Sequence, residues 1–332
     1  MSFKRLDPED FLVSADSVTA TAWSTNSPTL STFFTSSTTS TNDSYYKNVY
    51  QTGSDLTGAA VQFAIAYGNE QGSGSALFND LVAGKSPTRT VYGQYRNLVY
   101  GDENASFIFG GITASDFWAV SVERARYKEH LLKGTFNITL TNGSDTIKLT
   151  DNSGTVSSDT FLDCGRVYQI VSGSNGTPYT GVNANGYSEA SGSYGLFLPD
   201  VGVMLFNPLA LSASINLEPS RSNDSDGLNI QSMFNAIDDG NAFQLNSEET
   251  VTSDFVYVRT RNAEFNYSEN PSFISGSTGD VLYTQFINSP QSYITTIGMY
   301  NDNNELVAVA KLSKPLTKDF TKEALIRVKL DF

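Results

Sequence analysis

The chain has 332 residues, and 35 acidic side chains against 21 Lys and Arg leave a formal net charge of −14 at pH 7. This acidic balance, without any basic block, excludes the phosphate neutralisation on which nucleic-acid binding depends. The sequence has no run of about eighteen apolar residues, so we expect neither a membrane span nor a secretory signal peptide.

The composition favours strands and turns over long helices. Charged residues make up 17% of the chain, whereas aromatic residues reach 12%. A single cysteine, Cys164, cannot form an internal disulfide, which is typical of a protein assembled in a reducing cytoplasm. We therefore predict an α+β, mainly β fold, in which short helices pack on antiparallel sheets behind an extended N-terminal arm.

Residues 1–55 are predicted to form that arm, because a tract dominated by Ser and Thr buries too little to fold alone. Two interpretations remain open: a mobile linker, or a segment that lies across a neighbouring subunit. The second would use Trp23, Phe33 and Phe34 as anchors. It implies that a chain lacking residues 1–45 folds but fails to assemble.

Two helices are predicted after the arm, within a domain of residues 56–130. The first covers 56–68, where Leu56, Ala60, Phe63 and Tyr67 recur at helical steps. The second covers 86–100, with Ser86 as N-cap, Pro87 at the first position, and one apolar face, which would hold Val91, Tyr95 and Leu98. The glycine-rich stretch between them lacks the residues of a phosphate-binding loop and is predicted to be a loop tip.

A β-rich module is predicted for residues 131–225, and its β-prone runs already begin near residue 105. Asn142-Gly143 indicates a hairpin, Pro199-Asp200 a turn, and 172–193 a long loop.

The C-terminal α+β module, residues 226–332, should begin with a helix over 227–240. Asp226 would cap this helix, Leu228, Met233 and Ile237 would be buried, and Gly240 would end it.

The last forty residues are predicted to form a hairpin followed by a terminal strand. Residues 293–300 and 306–312 would be the hairpin strands, and Pro315 would end the second one. From Ala324 onward apolar residues alternate, so one face of the terminal strand would hold Ile326, Val328, Leu330 and Phe332. Such a strand should close a sheet or be covered by a partner.

No catalytic constellation stands out, and we predict a protein that is not an enzyme. The lone His130 has no nucleophile context, and one His with one Cys cannot complete a zinc tetrahedron. The loops around Asp224 and Asp226 and around Asp302 and Glu305 could supply oxygen ligands for calcium, but turn and capping chemistry also explains them. We expect no cofactor or metal.

A cationic run follows Glu123. On a strand, Arg124, Arg126 and Lys128 would share one face of an otherwise acidic protein. Such a stripe could pair with acidic surface on a neighbour, or it could form salt bridges within the chain.

Five stretches resemble virion structural proteins of large contractile-tailed bacteriophages, particularly those that infect cyanobacteria. They are QYRN (94–97), RARYKE (124–129), FNYSENPSF (265–273), ELVAVAKLSKP (305–315) and VKLDF (328–332). The resemblance spans most of residues 60–332. It implies a subunit of the tail baseplate or its wedges, with neck and fibre-attachment positions as alternatives.

The resemblance also implies partners and a location. We expect other phage structural proteins and further copies of this chain as partners, without nucleic acid or membrane, in a virion assembled in the host cytoplasm. The candidate interface residues are Trp23, Phe33, Phe34, Arg124, Arg126, Lys128 and Phe332. The alternative is a tail protein that binds or hydrolyses host-surface glycans, with Trp118, Tyr179 and Tyr187 available for stacking on sugars.

Overall fold

A computed structural model describes residues 3–35, 46–74, 86–179, 194–221 and 227–331. The fold is mainly β, with 45% strand and 16% helix, which confirms the predicted class. The helices are α1 (Pro87–Tyr100), α2 (Pro208–Ile215), α3 (Leu228–Gly240) and α4 (Gln285–Asn288). Within these ranges, no helix is both long and apolar enough to cross a membrane.

The strands are, in chain order, β1 (Phe11–Thr21), β2 (Thr29–Leu30), β3 (Phe34–Thr35), β4 (Tyr46–Tyr50), β5 (Val61–Asn69), β6 (Phe107–Phe109), β7 (Ile112–Ala114), β8 (Asp116–Val122), β9 (His130–Leu131), β10 (Asn137–Asn142), β11 (Asp145–Asp151), β12 (Thr160–Leu162), β13 (Gly165–Ser174), β14 (Thr177–Pro178), β15 (Gly195–Leu198), β16 (Val203–Phe206), β17 (Phe243–Gln244), β18 (Asn246–Thr260), β19 (Gln291–Tyr300), β20 (Leu306–Asp319) and β21 (Ala324–Asp331).

The chain divides into two compact units instead of the four predicted parts. The larger unit is Val18–Glu249, and the smaller unit joins Met1–Ser17 to Thr250–Phe332. The predicted boundaries at 55, 130 and 225 all fall within the larger unit. They fail because one sheet takes strands from both sides of the boundaries at 55 and 130, and because α3, which follows residue 225, packs on that sheet.

The larger unit is built on a curled sheet of thirteen strands, ordered β2-β17-β10-β11-β13-β15-β16-β8-β5-β4-β3, with β12 and β14 paired to β13. Both faces of this sheet are covered. Trp118 and Val120 of β8 pack in the cluster that includes α3, whereas Phe117 and Ala119 pack in the cluster that includes α1. The alternation follows from the two-residue period of a strand.

The helix predicted over residues 56–68 is wrong, because most of this stretch belongs to β5. Phe63, Ile65 and Tyr67 of β5 lie in one core cluster and Ala66 in the other. A strand buried on both faces is apolar throughout, so it does not show the alternation that identifies a half-exposed strand.

The helices predicted over 86–100 and 227–240 are confirmed as α1 and α3. In α1 the buried residues include Val91, Tyr92 and Val99, while Leu98 is exposed. In α3 Met233 and Ile237 are buried as predicted, but Leu228 is exposed. The proposed cap, Asp226, lies outside the described residues.

The predicted hairpins and turns of the larger unit are largely confirmed. Strands β10 and β11 pair across the turn after Asn142, where Gly143 adopts a left-handed backbone with φ 62°. A turn at 199–202 joins β15 to β16. The loop predicted over 172–193 begins instead with the end of β13 and with β14, and residues 180–193 lie outside the described ranges.

The positions of two aromatic residues correct the prediction of a separate N-terminal arm. Trp23 and Phe33 are buried in the core of the larger unit. The Trp23 ring packs edge-on to Phe243 at 4.9 Å between centroids, and its Nε1 donates to the Phe243 carbonyl at 2.9 Å. Hydroxyl-rich residues flank these aromatics, but the aromatics themselves supply enough burial to join the core.

In the smaller unit, β18 lies between β1 and β21 in sheet order, and within the described residues β19 pairs with β20 alone. The predicted C-terminal hairpin and terminal strand are confirmed, and Ile326, Val328 and Leu330 are less exposed than their neighbours. Pro315 does not end β20. The β19 register passes from Leu316 directly to Lys311, so Pro315 lies in an irregular stretch that requires no N–H donor.

Candidate assembly surface

The smaller unit buries few apolar side chains and exposes many. Among its described residues, only Val256 and Val328 are buried apolar residues. Its exposed large apolar and aromatic residues are Phe3, Phe11, Leu12, Val13, Tyr267, Val281, Leu282, Tyr283, Ile287, Tyr293, Tyr300, Leu306, Val307, Val309, Phe320 and Leu325. Soluble proteins rarely leave so much apolar surface uncovered unless it is used for binding.

The β19–β20 hairpin concentrates this exposure. Gly298 pairs with Val309, and Tyr300 pairs with Leu306 beyond a register shift. Val307, Val309 and Tyr300 are all exposed and form the exposed face of the ribbon. Val307 is 69% exposed and Val309 is 58% exposed. On the opposite face Ile297, paired with Ala310, is half-buried. Both faces of this two-stranded ribbon are therefore apolar.

The base of the hairpin is held firmly within the smaller unit. Lys318 is fully buried, and its Nζ donates to the Asn262 carbonyl at 3.0 Å, the Asn266 Oδ1 at 3.0 Å and the Asp319 carbonyl at 2.9 Å. The Ser292 hydroxyl donates to the Phe265 carbonyl in the same loop. The apolar ribbon thus extends from an ordered base.

Strand β21 is an open edge of its sheet. It pairs with β18, with Val328 opposite Val256, and no second neighbour of β21 lies in the described part of the chain. The Arg327 guanidinium lies 5.3 Å from the Phe255 ring centroid and the Lys329 ammonium 5.9 Å from it. An edge strand offers unpaired backbone groups to an added strand, and its charged side chains limit non-specific pairing.

The three aromatics predicted for the interface differ in exposure. Phe34 is exposed, but Trp23 and Phe33 lie in the core of their own chain and so are not available to a neighbouring subunit. Phe332 lies outside the described residues.

The predicted cationic stripe is also corrected. Residues Arg124–Arg126 form a 3-10 turn instead of a strand, so the alternation that would align the charges is lost. Arg124 donates to the Tyr127 carbonyl at 2.7 Å and lies over the Tyr127 ring. Lys128 lies 3.9 Å from Glu249. Arg124 and Lys128 thus have contacts within the chain, and the Lys128 side chain is still largely exposed.

The residues considered for catalysis or metal binding make contacts that support the local fold. His130 Nε2 lies 3.1 Å from Glu248 Oε2, across the pairing of β9 with β18. In the loop before β20, Asn301 Oδ1 accepts from the backbone N–H groups of Asn303 and Glu305, which is turn chemistry. The other candidate calcium loop, with Asp224 and Asp226, is not described. No group of three or more potential metal ligands occurs in the ranges that are.

The aromatic residues proposed for sugar stacking differ in exposure. Trp118 is fully buried, and its Nε1 donates to the Asn229 carbonyl at 2.8 Å, so it cannot stack on a sugar. Tyr179 is exposed, and Tyr187 lies outside the described residues. The sequence predicted the β19–β20 hairpin but not the exposure of its apolar residues, although their continuous run was the available signal.

Comparisons of the chain with protein-family models, with curated proteins and with solved structures found no match.

Proposed function

We propose that this chain is a structural subunit that acts by binding other protein subunits, with the smaller unit as its contact surface. The observation that carries the proposal is the contrast within this unit, where an apolar ribbon is exposed and two valines are the buried apolar residues of the described part. A two-stranded hairpin is marginally stable in water on its own. A partner that covers the ribbon would supply the missing burial.

The assembly that we propose is the tail of a contractile bacteriophage, with the baseplate or its wedges as the position. The sequence resemblance at 265–273, 305–315 and 328–332 supports this choice, and all three stretches belong to the smaller unit. The partners would be other tail proteins and further copies of this chain, joined after folding in the host cytoplasm. Neck and fibre-attachment positions are the alternatives within the same particle.

The double variant Val307→Glu/Val309→Glu tests the contact surface. It places two charges on the exposed face of the ribbon, and burying them against a partner is costly. We expect at least a tenfold loss of incorporation into purified virions, measured by quantitative mass spectrometry, with an unchanged circular dichroism spectrum.

The matched control is Ile108→Glu/Ile112→Glu, which adds the same charge to comparably exposed residues of the larger unit. It should be incorporated normally. Normal incorporation of the Val307→Glu/Val309→Glu variant would refute the assignment of the contact surface to the ribbon.

A further inference from the structure

A cleft of about 400 Å³ in the larger unit lies between the turn that follows β5 and one face of α1. Its lining is mostly polar, with Glu70 and Gln71 from the turn and Arg89, Thr90, Tyr92, Gly93 and Arg96 from the helix.

The two walls of the cleft are fixed to each other. Glu70 donates its backbone N–H to the Ser115 carbonyl at 2.8 Å. Ser86 donates its hydroxyl to the Gly72 carbonyl, and Thr88 donates to the Ser73 carbonyl at 2.9 Å. The turn is thereby pinned to the first turn of α1, so the cleft is formed before any ligand arrives. A preformed site reduces the entropic cost of binding.

Two arginines line this cleft without acidic partners. Arg89 and Arg96 are seven residues apart, or two helical turns, and therefore lie on the same side of α1. No ion pair to either one occurs within the described ranges. Arg89 is exposed and Arg96 is half-buried, and both line the cleft.

Arg96 also has an unsatisfied donor. Its Nε is buried and has no hydrogen-bond partner. The guanidinium lies 5.7 Å from the centroid of the Tyr92 ring, whose hydroxyl is held by the Ala114 carbonyl at 3.1 Å. Because Nε is closed to solvent, a ligand in the cleft would contact the terminal nitrogens of this guanidinium, and the described part of the chain offers Nε no acceptor.

The charges of the cleft indicate the kind of ligand. A guanidinium fork binds carboxylate or phosphate in a bidentate manner. The negative charges of Glu70 in the same cleft and of the protein as a whole repel a doubly charged ligand more strongly than a ligand with one carboxylate. The Glu70 carboxylate, the Gln71 amide and the Thr90 hydroxyl provide partners for ligand hydroxyl groups.

The size and polarity of the cleft argue against a peptide. Small-molecule sites commonly measure about 300–1,000 Å³. Protein partners usually anchor through apolar and aromatic contacts, and Tyr92 is the only aromatic or large apolar residue among the lining residues. We infer that this cleft binds a small ligand with one carboxylate and several hydroxyl groups, which is the chemistry of a sugar acid. This inference does not depend on the proposed structural role.

Isothermal titration calorimetry of the full chain tests the site, with sodium glucuronate, glucose, inorganic phosphate and tetraglutamate as separate titrants. We expect glucuronate to bind at least tenfold more tightly than each of the other three. Arg89→Gln and Arg96→Gln should each weaken glucuronate binding at least tenfold. Arg259→Gln, an exposed arginine on β18, is the matched control and should leave the affinity unchanged.

Gly93→Leu provides a variant that does not remove charge. A Cβ added at Gly93 meets no atom within 4 Å, so the side chain is accommodated, and its bulk should fill the cleft and abolish binding. If Arg96→Gln impairs folding, Arg89→Gln and Gly93→Leu decide the outcome. Equal binding of glucuronate and glucose, unchanged binding in these two variants, or tighter binding of phosphate or tetraglutamate would each overturn the inference.

Discussion

Cys164 shows how local surroundings set the chemistry of a single residue. The thiol is partly buried. Burial raises its pKa to about 11, and the nearby carboxylates of Asp200 and Asp163 act in the same direction. The thiolate is the nucleophilic form of cysteine, and a free cysteine has a pKa of about 8.5. Cys164 is therefore protonated, and poorly reactive, throughout the physiological range.

We predict that iodoacetamide alkylates Cys164 in the folded protein at least about 100-fold more slowly at pH 8 than it alkylates free cysteine, because the thiolate fraction is about 0.1% instead of about 25%. The rate should rise about tenfold per pH unit up to pH 11, since each unit increases the thiolate tenfold. Intact-mass spectrometry over time measures both. A rate at pH 8 equal to that of the urea-unfolded chain would contradict the prediction.

Among the elements, the predictable ones carry their own boundary signals. Helix α1 begins at Pro87, directly after the N-cap residue Ser86, and ends before Gly101, whose left-handed backbone has φ 62°. Strand β21 shows strict alternation because one face of it is exposed. Strand β5 could not be recognised, because burial on both faces removes the alternation. The turn at Arg124–Arg126 and the bulge around Pro315 depend on contacts that no local pattern encodes.

The candidate assembly surface was less predictable than the fold, because exposure also depends on contacts between residues far apart in the sequence. The sequence indicated the apolar runs of the C-terminal hairpin, but it could not show that no other described strand pairs with them. Trp23 lies between Ala22 and Ser24 and Phe34 between Phe33 and Thr35, yet Trp23 is buried and Phe34 is exposed. Which aromatic enters a core is decided by partners such as Phe243, which lies 220 residues further along the chain.

The anchor of the hairpin can be tested at Lys318. Replacing it with Met removes three hydrogen bonds and leaves acceptors in the 262–266 loop without their donor, at a cost of about 2–3 kcal/mol. We expect faster amide hydrogen exchange in residues 261–266 and in the base of the hairpin, with β8 of the larger unit unchanged.

Lys314→Met is the matched control, because Lys314 lies on the same strand and is exposed. It should leave the exchange rates unchanged. Equal effects of the two substitutions would mean that Lys318 does not anchor the hairpin.

At the scale of the whole molecule, the two units differ in how completely they bury their apolar residues. The larger unit has two core clusters, one on each face of its sheet, and includes residues 18–35 of the predicted arm. The expectation that a chain lacking residues 1–45 still folds therefore has to be revised. Trp23, Leu30 and Phe33 would all be lost from the core of this unit.

We predict that deletion of residues 1–45 lowers the melting temperature of the larger unit by at least about 10 °C. Removal of a buried Trp alone costs about 3–5 kcal/mol, and each kcal/mol shifts the melting temperature of a domain of this size by about 2–4 °C.

Deletion of residues 1–17 should spare this transition, because these residues belong to the smaller unit. Differential scanning calorimetry compares the two truncations. Equal melting temperatures would show that residues 18–45 contribute nothing to the core.

The exposed apolar surface of the β19–β20 ribbon affects how the chain must be produced. In a cell that synthesises this chain in excess of its partners, the exposed strands of different copies can pair with one another and form aggregates. Recombinant overexpression alone should therefore leave part of the protein in inclusion bodies, and co-expression with the partner that covers the ribbon should raise the soluble fraction. Balanced synthesis of the two would then be as necessary to the particle as the contacts themselves.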